Sequence, residues 1–299
     1  MEFLKKIISP VWIILVKLFP TTMTKLYYRV RAKKKLNLQT PTFFNEKLQW
    51  LKLYKYHHNP LITKCVDKYT VRDYVRNKGC EELLIPLIGV YDTVDEIDWR
   101  NLPKRFVLKC NHGCRMNIIC RNKEELDIPK TIETVRKWMK APFGYNSVEL
   151  IYEDVKRKII IEELIETEDQ HSPKDYKFFC SYGEPKFLYV ASDRNGLEAK
   201  FDHFYPDWKW IPVRTEHPNS GGNVERPELL EEMLDYARKL SAGFPIVRVD
   251  LYCEKGKILF SELTFLHHGG VGVFYPPKYN TLFGDLFPIR EIEYRDSKQ

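Results

Sequence analysis

The sequence predicts an α+β fold, bordering on α/β, in which helices separate strands and some consecutive strands form hairpins. Three observations support this prediction. Short apolar runs rich in β-branched and aromatic residues recur between residues 83 and 265, and apolar residues spaced three and four apart indicate helices between these runs. With 43% hydrophobic and 14% aromatic residues in a chain of 299, the protein can bury a large core and form more than one lobe.

Two helices are predicted before the first strand. Thr42 is a suitable N-cap for a helix that runs to about Tyr56, and Pro60 follows the end of that helix. A second helix is predicted over residues 67–78, with Asp67 near its start. This part of the chain is therefore expected to be helical.

The middle of the chain alternates strands with a helix. Lys109 lies inside an otherwise apolar strand, and a lysine in such a position must either reach solvent or meet an anion. The polar turn 111–117 follows this strand and can fold over phosphate groups. Strands are predicted at 83–90, 106–110, 118–120 and 158–165, and a helix at 129–140.

The last part of the chain contains two predicted hairpins. Tyr182 and Gly183 form the turn of the first hairpin, and residues 254–257 form the turn of the second. Residues 192–225 are predicted to be loop-rich, and a helix begins near Pro227. The hairpin strands are predicted at 175–180 and 185–190, and on either side of the second turn within 247–265.

The positive charge of the chain is confined to its N-terminal segment. The net charge is +7, but residues 1–38 alone carry +8, so the remainder is close to neutral and does not predict nucleic-acid binding. Pro10 and Lys17 interrupt the apolar run of this segment, which is too short to span a membrane, and no signal-peptide cleavage site follows. Two interpretations stay open, a segment lying on an anionic membrane surface and a helix packed on the protein with a solvated basic face.

The cysteines indicate a reducing environment. There are seven, and their spacing is not that of a secreted disulfide framework, which predicts a cytoplasmic protein. Cys110, His112 and Cys114 resemble half of a zinc site, but the second half is missing from the sequence. No structural zinc is therefore predicted.

Two acidic residues interrupt the final hairpin. Asp250 and Glu262 each lie in an otherwise apolar strand, and antiparallel pairing can bring the two carboxylates together. Buried carboxylates repel each other and lose hydration, so they need a compensating partner. A divalent cation bound to a nucleotide would supply it. The alternative is that both acids face solvent or pair with Arg248.

Five motifs follow one another within residues 40–290: TFFNEKLQWLKLY (42–54), VDKY (66–69), VLKCNHG (107–113), DYKFF (175–179) and VRVDLY (247–252). In this order they resemble the TupA-like ATP-grasp family. That family is associated with the synthesis of bacterial teichuronopeptide, capsule and other surface polysaccharides, and some members are described as glycosyltransferases. The resemblance implies an ATP-grasp fold, in which a central lobe lays an antiparallel sheet over the nucleotide and a C-terminal lobe supplies the metal-binding acids.

The resemblance also implies a role for each candidate site residue. Lys68 and Lys109 would contact the ATP phosphates, and Arg248 would stabilise charge on the transferring phosphoryl group. Lys109 and Arg248 are therefore the expected catalytic residues. Asp250, Glu262 and Thr264 would bind the metal, Glu162, Glu163, Leu164 and Ile165 the adenine, Asp175 the ribose, and His112, Gly113 and Lys177 other parts of the nucleotide.

The chain departs from the family pattern at two places. Residues 114–116, with Arg115 at their centre, stand where the family usually has small Ser and Gly residues, so nucleotide closure differs or Arg115 itself meets a phosphate. Thr264 stands where the wider superfamily has Asn, which is a better metal ligand. The number of bound metal ions is thus left open.

The reaction implied is an ATP-dependent carboxylate–amine ligation through an acyl phosphate, with Mg²⁺ or Mn²⁺. The acceptor would be a carboxylate such as a uronic acid or an amino acid, joined to an amine during surface-polysaccharide synthesis. The alternatives are a kinase, a glycosyltransferase and a non-catalytic nucleotide-binding scaffold. The protein is expected in the cytoplasm, peripherally at the inner face of the membrane or with polysaccharide-assembly proteins. The expected parts are a basic segment 1–38, an N-terminal lobe 39–104, a central lobe 105–165 and a C-terminal lobe 166–299.

Overall fold

A computed structural model describes residues 10–167, 172–192 and 199–289. Within these residues, the backbone forms two antiparallel sheets with helices packed around them. The α+β prediction is thereby confirmed. Among the described residues, no helix combines the length and the apolarity that crossing a bilayer requires.

Helices dominate the chain before the first strand. The second predicted helix begins at Val71 rather than near Asp67, because residues 67–70 form a turn. Pro60 follows one helix and also begins another, since its fixed φ suits the first helical turn and the side chain of Asn59 caps that turn. The helices are α1 (Pro10–Leu18), α2 (Pro20–Ala32), α3 (Phe44–Leu51), continued by a π-helical turn at Lys52–Tyr56, α4 (Pro60–Val66) and α5 (Val71–Asn77).

The first sheet contains the four strands predicted for the middle of the chain. Its strand order is β1-β4-β2-β3, and α6 (Ile128–Lys140) packs against it through Val135. The predicted strand 158–165 is too long, because the pairing of β4 with β1 and β2 ends at Glu162. The strands are β1 (Leu87–Tyr91), β2 (Phe106–Cys110), β3 (Asn117–Cys120) and β4 (Ile159–Glu162).

The second sheet contains both predicted hairpins and has the order β10-β9-β5-β6-β7-β8. The loop-rich segment 192–225 also contains two strands that the sequence did not predict, β7 and β8, which extend the sheet from β6. Their own apolar patterns are weak, and pairing stabilises them, β7 with β6 and β8 with β7. The strands are β5 (Asp175–Ser181), β6 (Glu184–Ser192), β7 (Lys200–Phe204), β8 (Trp210–Ile211), β9 (Val247–Glu254) and β10 (Lys257–Thr264), and the helices are α7 (Leu230–Ser241) and α8 (Lys278–Leu286).

Stacked aromatic rings hold helices α3 and α8 against the second sheet. The ring of Phe187 lies 4.3 Å from that of Phe179 and 4.1 Å from that of Phe283, with both pairs stacked. Phe44 of α3 packs edge-on against Phe179 at 5.8 Å. Buried aromatic pairs add about 0.5–1.5 kcal/mol each beyond the burial of their area. The stack therefore stabilises the middle of this sheet, and the hairpin β9–β10 with Asp250 and Glu262 lies at one of its edges.

Candidate active site

A row of charged residues crosses the second sheet. Lys177 on β5 is the register partner of Asp250 on β9, and Asp250 is in turn the register partner of Glu262 on β10. The pairing of β9 and β10 shifts by one residue between Phe260 and Glu262, so Ser261 forms a β-bulge. Without this bulge Ser261 would stand opposite Asp250, because a one-residue shift turns each following side chain to the other face. The bulge therefore brings the two predicted acids together.

Asp250 lies at the closed end of this row. It has no exposed surface, and Arg248 donates to it in a bidentate manner, Nε to Oδ1 and Nη2 to Oδ2, both at 2.6 Å. Lys177 donates to the same Oδ2 at 2.5 Å and lies 2.6 Å from Oδ2 of Asp175. Burial lowers the pKa of Lys177, but Asp175 and Asp250 more than reverse this effect and raise it. Two carboxylates and two cations thus compensate one another without solvent.

Arg248 connects the closed and open ends of the cluster. Besides Asp250, its Nη2 contacts Thr264 Oγ1 at 3.0 Å and Glu262 Oε1 at 3.3 Å, and its Nη1 lies 2.7 Å from Nδ1 of His267. Since a guanidinium only donates, Nδ1 of His267 accepts this bond. Burial and the charges of His268 and Arg248 lower the pKa of His267 well below its usual value, which keeps the ring neutral. His267 therefore fixes the orientation of the arginine.

Glu262 lies at the open end. Its side chain is 35% exposed, its Oε1 accepts a hydrogen bond from Thr264 at 3.0 Å, and its Oε2 lies 3.7 Å from Nζ of Lys68. Burial alone would raise the pKa of Glu262, but the positive charges of Lys68, Lys177 and Arg248 together lower it to about 2. The carboxylate is thus ionised at neutral pH and accessible to a ligand in the cleft.

The turn that carries Lys68 is held next to the β2–β3 turn. Nζ of Lys68 donates to the carbonyl of Gly113 at 2.9 Å, and its backbone N–H donates to the carbonyl of Asn111 at 3.2 Å. The amide of Asn111, which is completely buried, donates to Asp67 Oδ1 at 2.7 Å. These contacts explain why residues 67–70 form a turn and not the start of a helix. They also place Lys68 between the two sheets.

A second charged group stands at the end of β4. Glu162 accepts a hydrogen bond from Lys109 at 2.6 Å and another from Arg72 at 3.0 Å. Arg72 also donates to the carbonyl of Ile85 at 2.7 Å. Burial lowers the pKa of Lys109, but Glu162 reverses this effect and raises it. Lys109 therefore meets an anion, one of the two outcomes expected for a lysine in an apolar strand.

A cleft separates these two groups. One wall carries Lys109 and Glu162 from the first sheet, and the other is formed by Phe260 and Ser261 of β10; Lys68, Arg72 and Ile160 complete the lining. Residues 163–165 leave the first sheet directly after Glu162. The N–H of Glu163 donates to the carbonyl of Pro86 at 3.1 Å, and the backbone of Leu164 and Ile165 continues beyond the end of the strand.

The β2–β3 turn is more tightly packed than an open phosphate loop. His112 is buried, its Nε2 lies 3.3 Å from the carbonyl of Trp138, and burial together with the nearby Arg157 lowers its pKa to about 4. A Cβ atom on Gly113 would lie 2.9 Å from both the Met116 sulfur and the Phe143 ring. The glycine is therefore required by protein packing as well as by any approach of phosphate.

The donor set fits a nucleotide-bound metal at one carboxylate only. The open carboxylate of Glu262 is the oxygen ligand that Mg²⁺ prefers, and Mg²⁺ commonly uses one or two carboxylates together with substrate phosphates. Both oxygens of Asp250 are already bound by Arg248 and Lys177. Within the described residues, no group of three or more His, Cys, Asp or Glu side chains is arranged to hold a metal ion. A metal at Asp250 thus requires one of its cations to move.

The structure brings the sequence-predicted residues together in two groups. The smaller group consists of Lys109 and Glu162. Lys68 lies between the sheets. The larger group, on the second sheet, consists of Glu262, Thr264, Arg248, Asp250, Lys177 and Asp175. Asp175 is buried against Lys177 rather than open to a ribose, whereas Glu163 is exposed beyond the end of β4. Lys177 is also buried.

Three residues of the site were not found from the sequence, namely Arg72, Asn111 and His267. The sequence does contain a signal for Arg72, because this residue lies between Val71 and Val75 on the buried side of α5, where an unpaired arginine is rare. Asn111 and His267 left none, because their partners are more than 15 residues away along the chain.

Comparison with known proteins agrees with this geometry. Residues 46–288 match the model of a family described as TupA-like ATPgrasp. No curated protein matches the sequence.

Several solved structures are similar to this chain. They include a D-alanine-D-alanine ligase from Helicobacter pylori (13% identity, 84% of this chain and 68% of that chain, TM-score 0.45). Others are the enzyme of the same name from Bacillus anthracis complexed with ATP (15%, 80% and 68%, TM-score 0.45) and an L-amino acid ligase from Bacillus licheniformis (14%, 83% and 57%, TM-score 0.49). The chain spans little more than half the length of the last of these. Identities and TM-scores this low carry no argument by themselves. The assignment to a family therefore rests on the match of residues 46–288.

Proposed function

Because the chain belongs to the TupA-like ATP-grasp family, we propose that it is an ATP-dependent carboxylate–amine ligase that works through an acyl phosphate. One observation carries the proposal. Lys68 and Arg248 both approach the ionised and accessible carboxylate of Glu262, which is the arrangement expected around a metal-bound polyphosphate.

The charges of the site suit phosphoryl transfer. In the proposed first step, an oxygen of the acceptor carboxylate forms a bond to the γ-phosphorus of ATP, and the bond from that phosphorus to the β-phosphate oxygen breaks to release ADP. Lys68 and Lys109 would neutralise phosphate charge, and Arg248 would stabilise the transferring group. Mg²⁺ or Mn²⁺, held by Glu262 and the phosphates, would supply further neutralisation. An ionised carboxylate is already a nucleophile, so this step needs no general base.

In the second step the amine nitrogen attacks the acyl carbon, the bond from that carbon to the phosphate oxygen breaks, and phosphate leaves while the nitrogen loses a proton. Fixed dipoles and cations in a closed cleft assist this step by holding the departing phosphate. We propose a uronic acid or an amino acid as the carboxylate and a role in surface-polysaccharide synthesis in the cytoplasm. Adenine would bind along residues 162–165, with Glu163, Leu164 and Ile165 contributing backbone groups.

The enclosed Asp250 favours a second candidate, a nucleotide-binding protein that does not turn ATP over. Both oxygens of this carboxylate are occupied by cations, so a site that requires it as a metal ligand would be inactive until Arg248 or Lys177 moves. ATP binding without turnover in the presence of every acceptor would support this alternative.

The decisive experiment measures ADP release with ATP, Mg²⁺ and a panel of uronic and amino acids, with and without an amine. We expect turnover that depends on both partners and an amide product detected by mass spectrometry. Asp250→Asn and Glu262→Gln should lower turnover strongly, Glu262→Gln by about 10²–10³-fold, whereas Asp207→Asn and Glu184→Gln, the same changes at exposed positions, should not. Turnover without the amine and a stable phosphorylated product would indicate a kinase, and a sugar-nucleotide requirement without ATP consumption would indicate a glycosyltransferase.

A further inference from the structure

The two N-terminal helices are packed on the protein through one face only. Val16 of α1 and Met23 of α2 are buried with Val148 and Leu150, and Nε1 of Trp12 donates to the carbonyl of Tyr145 at 2.9 Å. These contacts fix both helices to the body of the protein. Their opposite faces are therefore displayed outward in a defined orientation.

The outward face of α1 is apolar. Val11, Ile14, Leu15 and Leu18 are between 37% and 65% exposed, and their spacing of three, four and seven residues places them on one side of the helix. Phe19, at the junction with α2, is also exposed. A stripe of large apolar side chains facing water is unfavourable, and on a soluble surface it marks a site of interaction.

The outward face of α2 combines apolar and basic residues. Leu26 and Val30 are about half exposed and lie one turn apart, and Lys25, Arg29 and Lys33 are exposed beside them. Residues 10–38 include seven Lys and Arg and no Asp or Glu. The occupant of this surface must therefore tolerate apolar burial and carry negative charge.

A groove on α2 has the same mixed character. It lies between the helix and residues 35–39, and its walls carry Lys25, Arg29 and Lys35 together with Leu26, Leu36 and Leu38. Three cations above apolar walls match an anionic headgroup attached to acyl chains. A soluble protein partner would need a surface that is both acidic and apolar and that matches this groove in shape. No feature of this segment points to such a partner.

We propose that α1 and α2 form a docking surface for an anionic phospholipid membrane, with the apolar stripe of α1 inserted among the acyl chains at the interface and the basic residues of α2 against the headgroups. The structure packs the helices on the protein, as the second interpretation of the sequence expects, and leaves an apolar and basic face exposed, on which the proposal of membrane binding rests. The surface is separate from the cleft, so the proposal does not depend on the reaction.

Flotation of the full-length protein with vesicles tests this proposal. Binding is expected to vesicles of phosphatidylcholine and phosphatidylglycerol in equal parts, to be weak with phosphatidylcholine alone, and to decrease with salt. Ile14→Glu with Leu18→Glu should reduce the partition coefficient at least about tenfold, because two apolar side chains are lost from the interface. Lys25→Glu with Arg29→Glu should cause a loss of about tenfold or more, since each basic residue near an anionic surface contributes.

Matched controls carry the same changes elsewhere. Leu61→Glu with Leu282→Glu alters two exposed leucines, one in α4 and one in α8, and Lys137→Glu with Lys140→Glu reverses two exposed charges of α6; both should bind like wild type. Circular dichroism should show that every variant is folded. The proposal is overturned if wild type does not bind the anionic vesicles, if the helix variants bind as well as the controls, or if light scattering shows that the same face joins two copies of the chain and vesicles do not compete.

Discussion

Glu262 and Asp250 stand directly opposite each other on β10 and β9, yet their carboxylates have contrasting surroundings. Asp250 is completely buried and both of its oxygens are bound by cations, whereas Glu262 is partly exposed and directs one oxygen toward Lys68. Asp250 therefore acts as a structural counter-ion in this arrangement, and Glu262 is the group that a nucleotide-bound metal can reach.

Replacing Glu262 by Gln is expected to lower kcat for ADP release by about 10²–10³-fold, since a charge that acts on the transferring group is lost.

The pKa of Glu262 is lowered from 4.5 to about 2, so its contribution to stability is complete above pH 4.5 and disappears as the pH falls toward 2. Acid unfolding monitored by circular dichroism should show this component in wild type and in Glu184→Gln, and not in Glu262→Gln. An identical acid transition in all three proteins would contradict the proposed charge environment.

Replacing Lys177 by Met should destabilise the protein by about 3–5 kcal/mol, because the buried carboxylates of Asp175 and Asp250 would both lose the cation that they share. Urea unfolding measures this change. Adding Asp175→Asn to Lys177→Met should recover part of the loss, since it removes one of the two carboxylate charges that face Lys177. Lys186→Met, on the neighbouring strand, should change the free energy of unfolding by less than about 1 kcal/mol. A loss of the same size in this control would mean that strand packing, not charge, is responsible.

Replacing Arg72 by Lys should cost about 1–3 kcal/mol, because a single ammonium cannot serve both Glu162 and the carbonyl of Ile85 in the same geometry. The affinity for ATP should also decrease, as Glu162 and Lys109 lose their fixed positions. Calorimetric titration with ATP and denaturant unfolding test the two effects. Arg76→Lys, one turn along α5 and exposed, is the control and should leave both quantities unchanged.

Replacing Lys52 by Met should remove a pH dependence of stability. Lys52 is 2% exposed on the π-helical turn after α3, and burial lowers its pKa from 10.5 to about 7 despite the nearby Glu149. Between pH 7 and 10.5 the unfolded chain therefore binds more protons at this residue, and wild-type stability should rise with pH relative to Lys52→Met. Urea unfolding at both ends of this range measures the difference. The exposed Lys137→Met should follow wild type, and parallel curves for all three would show that Lys52 keeps its ordinary pKa.

Much of the site was accessible to sequence reasoning because it lies in local patterns. Asp250 and Glu262 stand out as acids within apolar strands, and the short turn between those strands predicts antiparallel pairing. Lys109 stands out for the same reason in the first sheet. By contrast, β7 and β8 have weak patterns of their own and exist through pairing, β7 with β6 and β8 with β7, so the sequence predicts only a loop-rich segment at 192–225.

The sequence by itself determined the α+β class, both hairpins and which charged residues interrupt apolar strands, because alternation and turn chemistry act between residues close in the chain. Only the tertiary structure decided the bulge at Ser261, the closure of Asp250 by Lys177 and the support of Glu162 by Arg72. The last two depend on contacts between distant segments, and the first is a shift in register that the short turn of the hairpin does not encode. A buried charge loses free energy of hydration and gains free energy from pairing with an opposite charge, and the balance of the two decides whether such a contact forms. That balance depends on tertiary packing, which no local sequence pattern contains.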